Sequence, residues 1–483
     1  MKSMNIASRM VNFLGNIKPE KLFLTLAITF GFLSLLLVPV LTVPDEGVHY
    51  WASYGSFSRP IPNDLLISPQ EILKKIENKS YYHDIYVKKV NFEDNTLSFG
   101  PKTITVNNAN DRKVKSLEIK SSLTDITHMP QSVGVFIGKY IYGSVGSMIL
   151  FGRLINMAVF ILIIYFVIKY TKKWKLVILY ISLFPMMVQQ MASLSYDAVN
   201  FALITSWIVL VLNIAYANIR VTRRAILLSL SIAVLLCLTK PINLVLLLLL
   251  PVIVYKKLQN SKNKKITEAV SRAEQFFKKN KKHIILYSIL IVAIIFFTVT
   301  LAKHQAALKT LKIVVNTFFR PEINTQLDPI VFSGIVGHFG WLWYKLPVWM
   351  VFMSLSMLCI VLIKDNARFI KRDKYISYIF TGTFLAYVVG MFAAMYLLWT
   401  RLPFIGGVDA VYIQGVQGRY ITPVLILLIP LFSFIASYVE IKLSYKKLQA
   451  LLAIVTIFTL STYLFLTYLF YYTASYGIKN SLI

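Results

Sequence analysis

The sequence predicts an all-α polytopic membrane protein of about eleven transmembrane helices, with a large extracellular first loop that holds amphipathic helices and a small β insertion. Three observations carry this. Hydrophobic residues fill 57% of the 483 positions and charged ones 15%, against about 25% charged in an ordinary soluble domain. The apolar residues come in blocks of about 17–24, enough to cross a bilayer core of about 30 Å at 1.5 Å per residue. Lys and Arg, source of the formal net charge of +30, gather between alternate blocks, as the positive-inside rule expects.

The blocks lie near 22–43, 148–169, 175–193, 197–217, 224–239, 241–255, 284–303, 347–363, 376–399, 421–440 and 448–471, the fifth and sixth meeting at Lys240-Pro241. Basic groups precede the first block (Lys2, Arg9, Lys18, Lys21), follow the second (Lys169, Lys172, Lys173) and crowd residues 256–282. Others are Arg220 and Arg223, Lys364 to Lys374, and Lys442 to Lys447. Eleven spans put all of these on one side, with the N-terminus in the cytoplasm. The charge is then a topology signal that also meets anionic lipid, and no nucleic-acid partner is implied. The apolar run after the basic start is too long for a cleaved leader and lacks a small-residue cleavage site, so it reads as a retained first helix. Cys237 and Cys359 each fall inside a span and read as packing residues.

The chain divides into residues 1–43 (N-terminus and first span), an extracellular loop 44–147, and a ten-helix region 148–483 with external loops 304–346 and 400–420. Eleven of the 21 acidic residues sit in the first loop, between Asp45 and Asp125, so that loop belongs in water. Ser68-Pro69-Gln70-Glu71 has the form of a helix start, Ser as N-cap, Pro at N1 and Glu at N3, with Ile72, Leu73 and Ile76 following on one face. Over about 80–120 the period changes. Ile85–Val90, Thr96–Phe99, Thr103–Val106 and Val114–Ile119, set apart by turn residues, predict a small β-meander.

Five polar segments fall on the outer side: Pro44 to His49, Ser193 to Asp197, Lys240-Pro241, Gly337 to Pro347, and Gln417 to Tyr420. Their convergence predicts one outer cavity. Asp45 and Glu46 are paired carboxylates, either of which could take a proton from an attacking hydroxyl within about 3 Å; the plainer reading is an acidic first turn answering a helix dipole. If Pro44 opens that helix, His49 shares a face with Asp45. Arg153, one turn inside the second span with Asn156 on its face, is costly in a bilayer and points to function or to snorkelling. Arg419 and Lys240 are placed to hold a phosphate, the Arg fork matching two phosphate oxygens. Trp341, Trp343 and Tyr344 suit a sugar ring or an interfacial aromatic belt. Asp197 starts a span, where an acidic N-cap is ordinary. A metal shared by His49 and His338 has only two distant imidazoles to support it.

In order along the chain stand Pro-Asp-Glu-x-x-His49, Arg153-Leu154-Ile155-Asn156, Ser193-x-Ser195-x-Asp197, Lys240-Pro241, Phe339-Gly340-Trp341 with Pro347, and Gly418-Arg419-Tyr420-x-x-Pro423. Together they resemble the bacterial membrane family called domain of unknown function 2142, over nearly the whole chain, with 80–120 an insertion. That family is similar to the GT-C membrane glycosyltransferases. The resemblance implies a polyprenyl-phosphate-linked sugar donor, a cell-envelope glycan or lipid acceptor, and inverting transfer on the extracellular side of a bacterial cell membrane. It places the general base at Asp45, with Glu46 beside it, and donor phosphate on Arg419, Arg153 and Lys240. His49, Asp197, His338, Trp341, Gln417 and Tyr420 are the candidate substrate contacts. No cofactor is certain; a divalent cation stays open. The competing expectations are a glycan polymerase or ligase using a lipid-pyrophosphate donor, and a flippase or transporter. Transporters keep polar residues at the membrane midplane, whereas here they collect at one end of the spans.

Overall fold

In a computed structural model of the chain, the described residues are 6–56, 58–59, 62–92, 96–97, 103–106, 117–120, 127–216, 222–259, 307–367, 374–403 and 405–473, with single positions at 268, 272, 275 and 279. Among them seven helices are long and apolar enough to cross a membrane: Pro19–Leu37, Val145–Tyr170, Asp197–Tyr216, Pro241–Gln259, Val348–Asn366, Tyr375–Thr400 and Tyr445–Tyr472. The block at 284–303 lies outside the described residues. Three other expected spans take different forms. Residues 175–193 are two short helices, Lys175–Ser182 and Pro185–Met191. They break at Pro185, whose ring cannot follow an unbroken helix. Arg223–Thr239 is a 17-residue helix, and 421–440 is the shorter apolar helix Thr422–Ile435.

At Lys240-Pro241 the chain does break. The helix ends at Thr239 and resumes in 3₁₀ turns over Pro241–Leu249. Asn243, one turn on, donates to Asn200 Oδ1 (2.7 Å) and to Thr239 Oγ1, so a buried amide network pins the break to the Asp197 helix. A buried polar group in this setting needs such partners.

The first loop has its own core. Tyr50, Tyr54, Leu65, Ile72, Ile85 and Val90 pack with Val135, Val145, Met148 and Ile149. The helix expected after Ser68 is there, Pro69–Glu77, with both halves of its capping box: Glu71 N donates to Ser68 Oγ at 3.2 Å and Ser68 N to Glu71 Oε2 at 2.8 Å. Its Ile72 is buried in the loop core. An unanticipated helix, Met129–Ile141, runs along Val145–Tyr170. Gly134 permits that, since a Cβ there would strike the Phe151 carbonyl and Gly152.

The meander needs correcting. Residues Ile85–Val90 are not a strand: His83–Val87 is one wide helical turn, because Asp84 accepts from Lys75 (2.7 Å) and Ser80 (3.0 Å) and folds the chain back on Pro69–Glu77. Thr96–Leu97 pairs with Ser58–Arg59, and Thr103–Val106 pairs separately with Leu117–Lys120. Among the described residues the strands of this stretch therefore join two separate antiparallel pairs, one of them reaching back to Ser58–Arg59. A third, His338–Phe339 with Tyr344–Lys345, forms the expected aromatic segment into a hairpin.

Candidate functional site

The first span ends at Leu37 and the chain turns before a short helix, Glu46–Gly55. That helix opens at Glu46 and not at Pro44. Asp45, just before it, has a left-handed backbone (φ 63°) and caps nothing with its side chain. A non-glycine residue held there costs on the order of 1 kcal/mol or more, and such strain gathers at functional positions. The two neighbouring carboxylates meet opposite fates.

Glu46 points inward and is fully buried. Its oxygens accept from Arg153 Nε (2.8 Å), Arg153 Nη2 (2.6 Å) and the Leu194 amide (3.0 Å). Arg153 is 1% exposed, and it also donates from Nη1 to Val38 O and from Nη2 to Pro39 O. The pair is a closed clamp that ties the end of the first span to the second span and to the 193–195 turn. This corrects the expectation for both residues: Glu46 is not placed as a base, and Arg153 has no nitrogen left to offer a phosphate. Asn156 completes the clamp by donating to Ser193 O (2.8 Å) and Ser195 O (3.1 Å).

Asp45 points the other way, with its side chain 48% exposed, and accepts from Arg419 Nη2 at 2.7 Å. The Arg419 side chain is 2% exposed. Its Nε lies 3.1 Å from Asp197 Oδ2 without hydrogen-bond alignment, and its Nη1 has no hydrogen-bond partner among the described residues. Asp197 Oδ1 accepts from Lys240 Nζ at 2.6 Å. That ammonium is also sandwiched between the rings of Tyr420 (4.4 Å) and Tyr196 (4.9 Å). Lys240 is thus committed inside the protein, which corrects its assignment to phosphate. Asp197 is the counterion of two cations and not a simple helix cap.

Gly418 fixes where Arg419 sits. A Cβ at Gly418 would collide with the Val331 carbonyl and the Ile335 amide, so only glycine lets this turn lie against 331–335. The close approach foreseen at Gly418 is therefore to the chain itself. Gln417 carries a buried Oε1 without a partner beside it, and Tyr420 Oη accepts from Arg419 Nη2 at 3.3 Å.

His49 is in the cluster, but its ring partner is His128, not His338: Nδ1 of one is 3.0 Å from Nε2 of the other. Both rings lie 5.0 Å from Tyr196. Burial pushes His49 down to about 3, against which the nearby Asp197 works, and burial likewise pushes His128 down to about 3. Both imidazoles are neutral at physiological pH. His338 instead contacts the Pro329 carbonyl at 2.7 Å, and Trp341 is a partly exposed residue at the tip of the hairpin. Neither joins the cluster. Sequence reasoning missed His128 and Tyr196; Tyr196 stood inside a motif already singled out, while His128 carried no local signal. Among the described residues no three His, Cys, Asp or Glu side chains come together to hold a metal ion.

The site therefore lies where the first span and Arg223–Thr239 end and Asp197–Tyr216 begins. It joins residues 45, 49, 128, 196, 197, 240, 419 and 420. The family model described as Predicted membrane protein (DUF2142) matches residues 28–428. The chain belongs to that family. The match runs from within the first span into the helix Thr422–Ile435, so every residue of the DUF2142 cluster falls inside it. No curated protein and no solved structure matches the chain.

Proposed function

We propose that this DUF2142 protein is a membrane glycosyltransferase that moves a sugar from a polyprenyl-phosphate donor to a cell-envelope acceptor, with inversion. The observation that supports it is the pairing of a half-exposed carboxylate, Asp45, with a buried guanidinium, Arg419, whose Nη1 has no hydrogen-bond partner among the described residues. In the reaction Asp45 takes the proton from the acceptor hydroxyl. The acceptor oxygen bonds to the anomeric carbon as the bond from that carbon to the phosphate oxygen breaks. The bonding pair leaves with the polyprenyl phosphate, whose added negative charge Arg419 stabilises. Phosphate is a good leaving group, so no general acid is required. Asp197 and Lys240 hold Arg419 in place, and the bilayer-edge position suits a donor anchored by its lipid tail.

The same reading puts eleven spans across the membrane, with the N-terminus in the cytoplasm and the cluster with loop 44–147 outside. It rests on the Lys and Arg asymmetry of the loops. The experiment is to supply purified protein in lipid nanodiscs with polyprenyl-phosphate sugars of several kinds and cell-envelope acceptors. Acceptor-dependent release of free polyprenyl phosphate, lost in Asp45→Asn, is the expected result. Movement of the lipid-linked sugar between leaflets of vesicles without release would replace the transferase with a flippase.

A further inference from the structure

Asp45 and Arg419 have been given separate tasks, yet they hold each other. We propose that this ion pair is a latch in which the donor's phosphate displaces Asp45 from Arg419, so that the base is released only when donor is seated. The proposal rests on the transferase reading for the nature of the ligand and adds a mutual exclusion within its site.

The geometry argues for the exchange. Asp45 reaches Arg419 through a single contact, Oδ2 to Nη2 at 2.7 Å, while Nη1 has no hydrogen-bond partner among the described residues. A phosphodiester presents two non-bridging oxygens that share one negative charge and can engage both terminal nitrogens as a fork, which is stronger and more directional than one contact. To do so it must take Nη2, the atom Asp45 holds. Nε stays beside Asp197, which Lys240 also holds, so the guanidinium does not follow the departing carboxylate.

The chain around Asp45 suits the movement. Its carboxylate is half exposed, makes no cap hydrogen bond and sits on a left-handed backbone. The next residue, Glu46, is fixed by three hydrogen bonds within the closed clamp. The main chain is therefore anchored while the Asp45 side chain turns toward solvent, where an acceptor hydroxyl would come. In the resting protein Asp45 is an internal competitor for the phosphate site. A ligand that must first break such a contact binds more weakly, by the fraction of molecules in which the contact is open.

The test measures saturable binding of polyprenyl monophosphate to nanodisc-embedded wild type, Asp45→Asn, Asp45→Gly, Arg419→Ala and Asp45→Asn/Arg419→Ala. Asp45→Gly is included because glycine accepts the left-handed backbone and so removes the carboxylate without disturbing the turn. Removing the competitor should tighten binding by about three- to tenfold in both Asp45 variants, although neither transfers sugar. In the Arg419→Ala background the Asp45 change should give no gain. Binding that Arg419→Ala weakens but that both Asp45 variants leave unchanged or weaken overturns the latch and leaves the transferase reading standing. No saturable binding to any of the five overturns both.

Discussion

Two carboxylates that are neighbours in sequence form two ion pairs of opposite kinds. Glu46 and Arg153 are both sealed, bidentate and backed by backbone partners. Asp45 is half exposed, and it meets Arg419 through one nitrogen while another has no hydrogen-bond partner among the described residues. Taking two charges out of water is repaid only when geometry and further hydrogen bonds satisfy both ions. The first pair meets that condition and ties the first span to the second; the second does not, and it is the pair to which the proposed reaction gives the proton transfer and the phosphate. Adjacent carboxylates thus face opposite ways, Glu46 into the packed interior and Asp45 toward solvent.

The contrast can be broken most sharply by exchanging the amide for each acid. Asp45→Asn should lower transfer by about 10²–10⁴, the usual cost of losing a general base, with thermal stability near wild type. Glu46→Gln or Arg153→Met should do the reverse. Loss of one member of a buried pair costs about 3–5 kcal/mol of stability, visible as poor yield or a lowered melting temperature in nanodiscs. Full transfer in Asp45→Asn with a stable, inactive Glu46→Gln would exchange the two roles.

Arg419→Lys comes next in size. Lysine keeps the charge but cannot form the fork, so donor affinity should fall at least about tenfold, which is about 1.4 kcal/mol. Unchanged affinity measured by lipid titration would make Arg419 an anchor of the turn and nothing more.

A further effect, on stability and not on transfer, concerns acid. His49 is pushed to about 3, well below its ordinary 6.5, so the unfolded chain binds more protons than the folded one between those values. Stability from this group is complete above about 6.5 and is lost as pH falls toward 3, at up to about 1.4 kcal/mol per pH unit. Asp197, Arg419 and Lys240 face the same ring. His49→Gln should melt at a temperature less sensitive to lowering the pH from 7 to 5 than wild type; an identical pH dependence would show that the His49–His128 pair does not govern acid sensitivity.

Much of this was legible in the sequence because bilayers impose simple lengths and loops obey simple charge rules. Apolar blocks marked the long helices, and Ser68 to Glu71 marked a helix start, since both signals are local. Residues 45, 49, 197, 240, 419 and 420 were singled out and do converge. What stayed hidden was partnership: whether Glu46 or Asp45 faces inward depends on Leu194 and Arg153, and whether Lys240 is free depends on Asp197. The strand expected at Ile85–Val90 failed for the same reason, because Lys75 and Ser80 capture Asp84 and override the local pattern. His128 could not be found at all, as its role comes from touching a residue 79 positions earlier.

The clamp and the candidate site also differ in when they can form during synthesis. Glu46 and Arg153 are 107 residues apart, whereas Asp45 and Arg419 are 374 apart. A nascent chain that has inserted its second helix already holds both halves of the clamp. Asp45 meets its guanidinium only after nearly every span has left the ribosome. Until then the Asp45–Arg419 pair cannot form, whereas the Glu46–Arg153 pair can, and residues 193–195 complete it soon after.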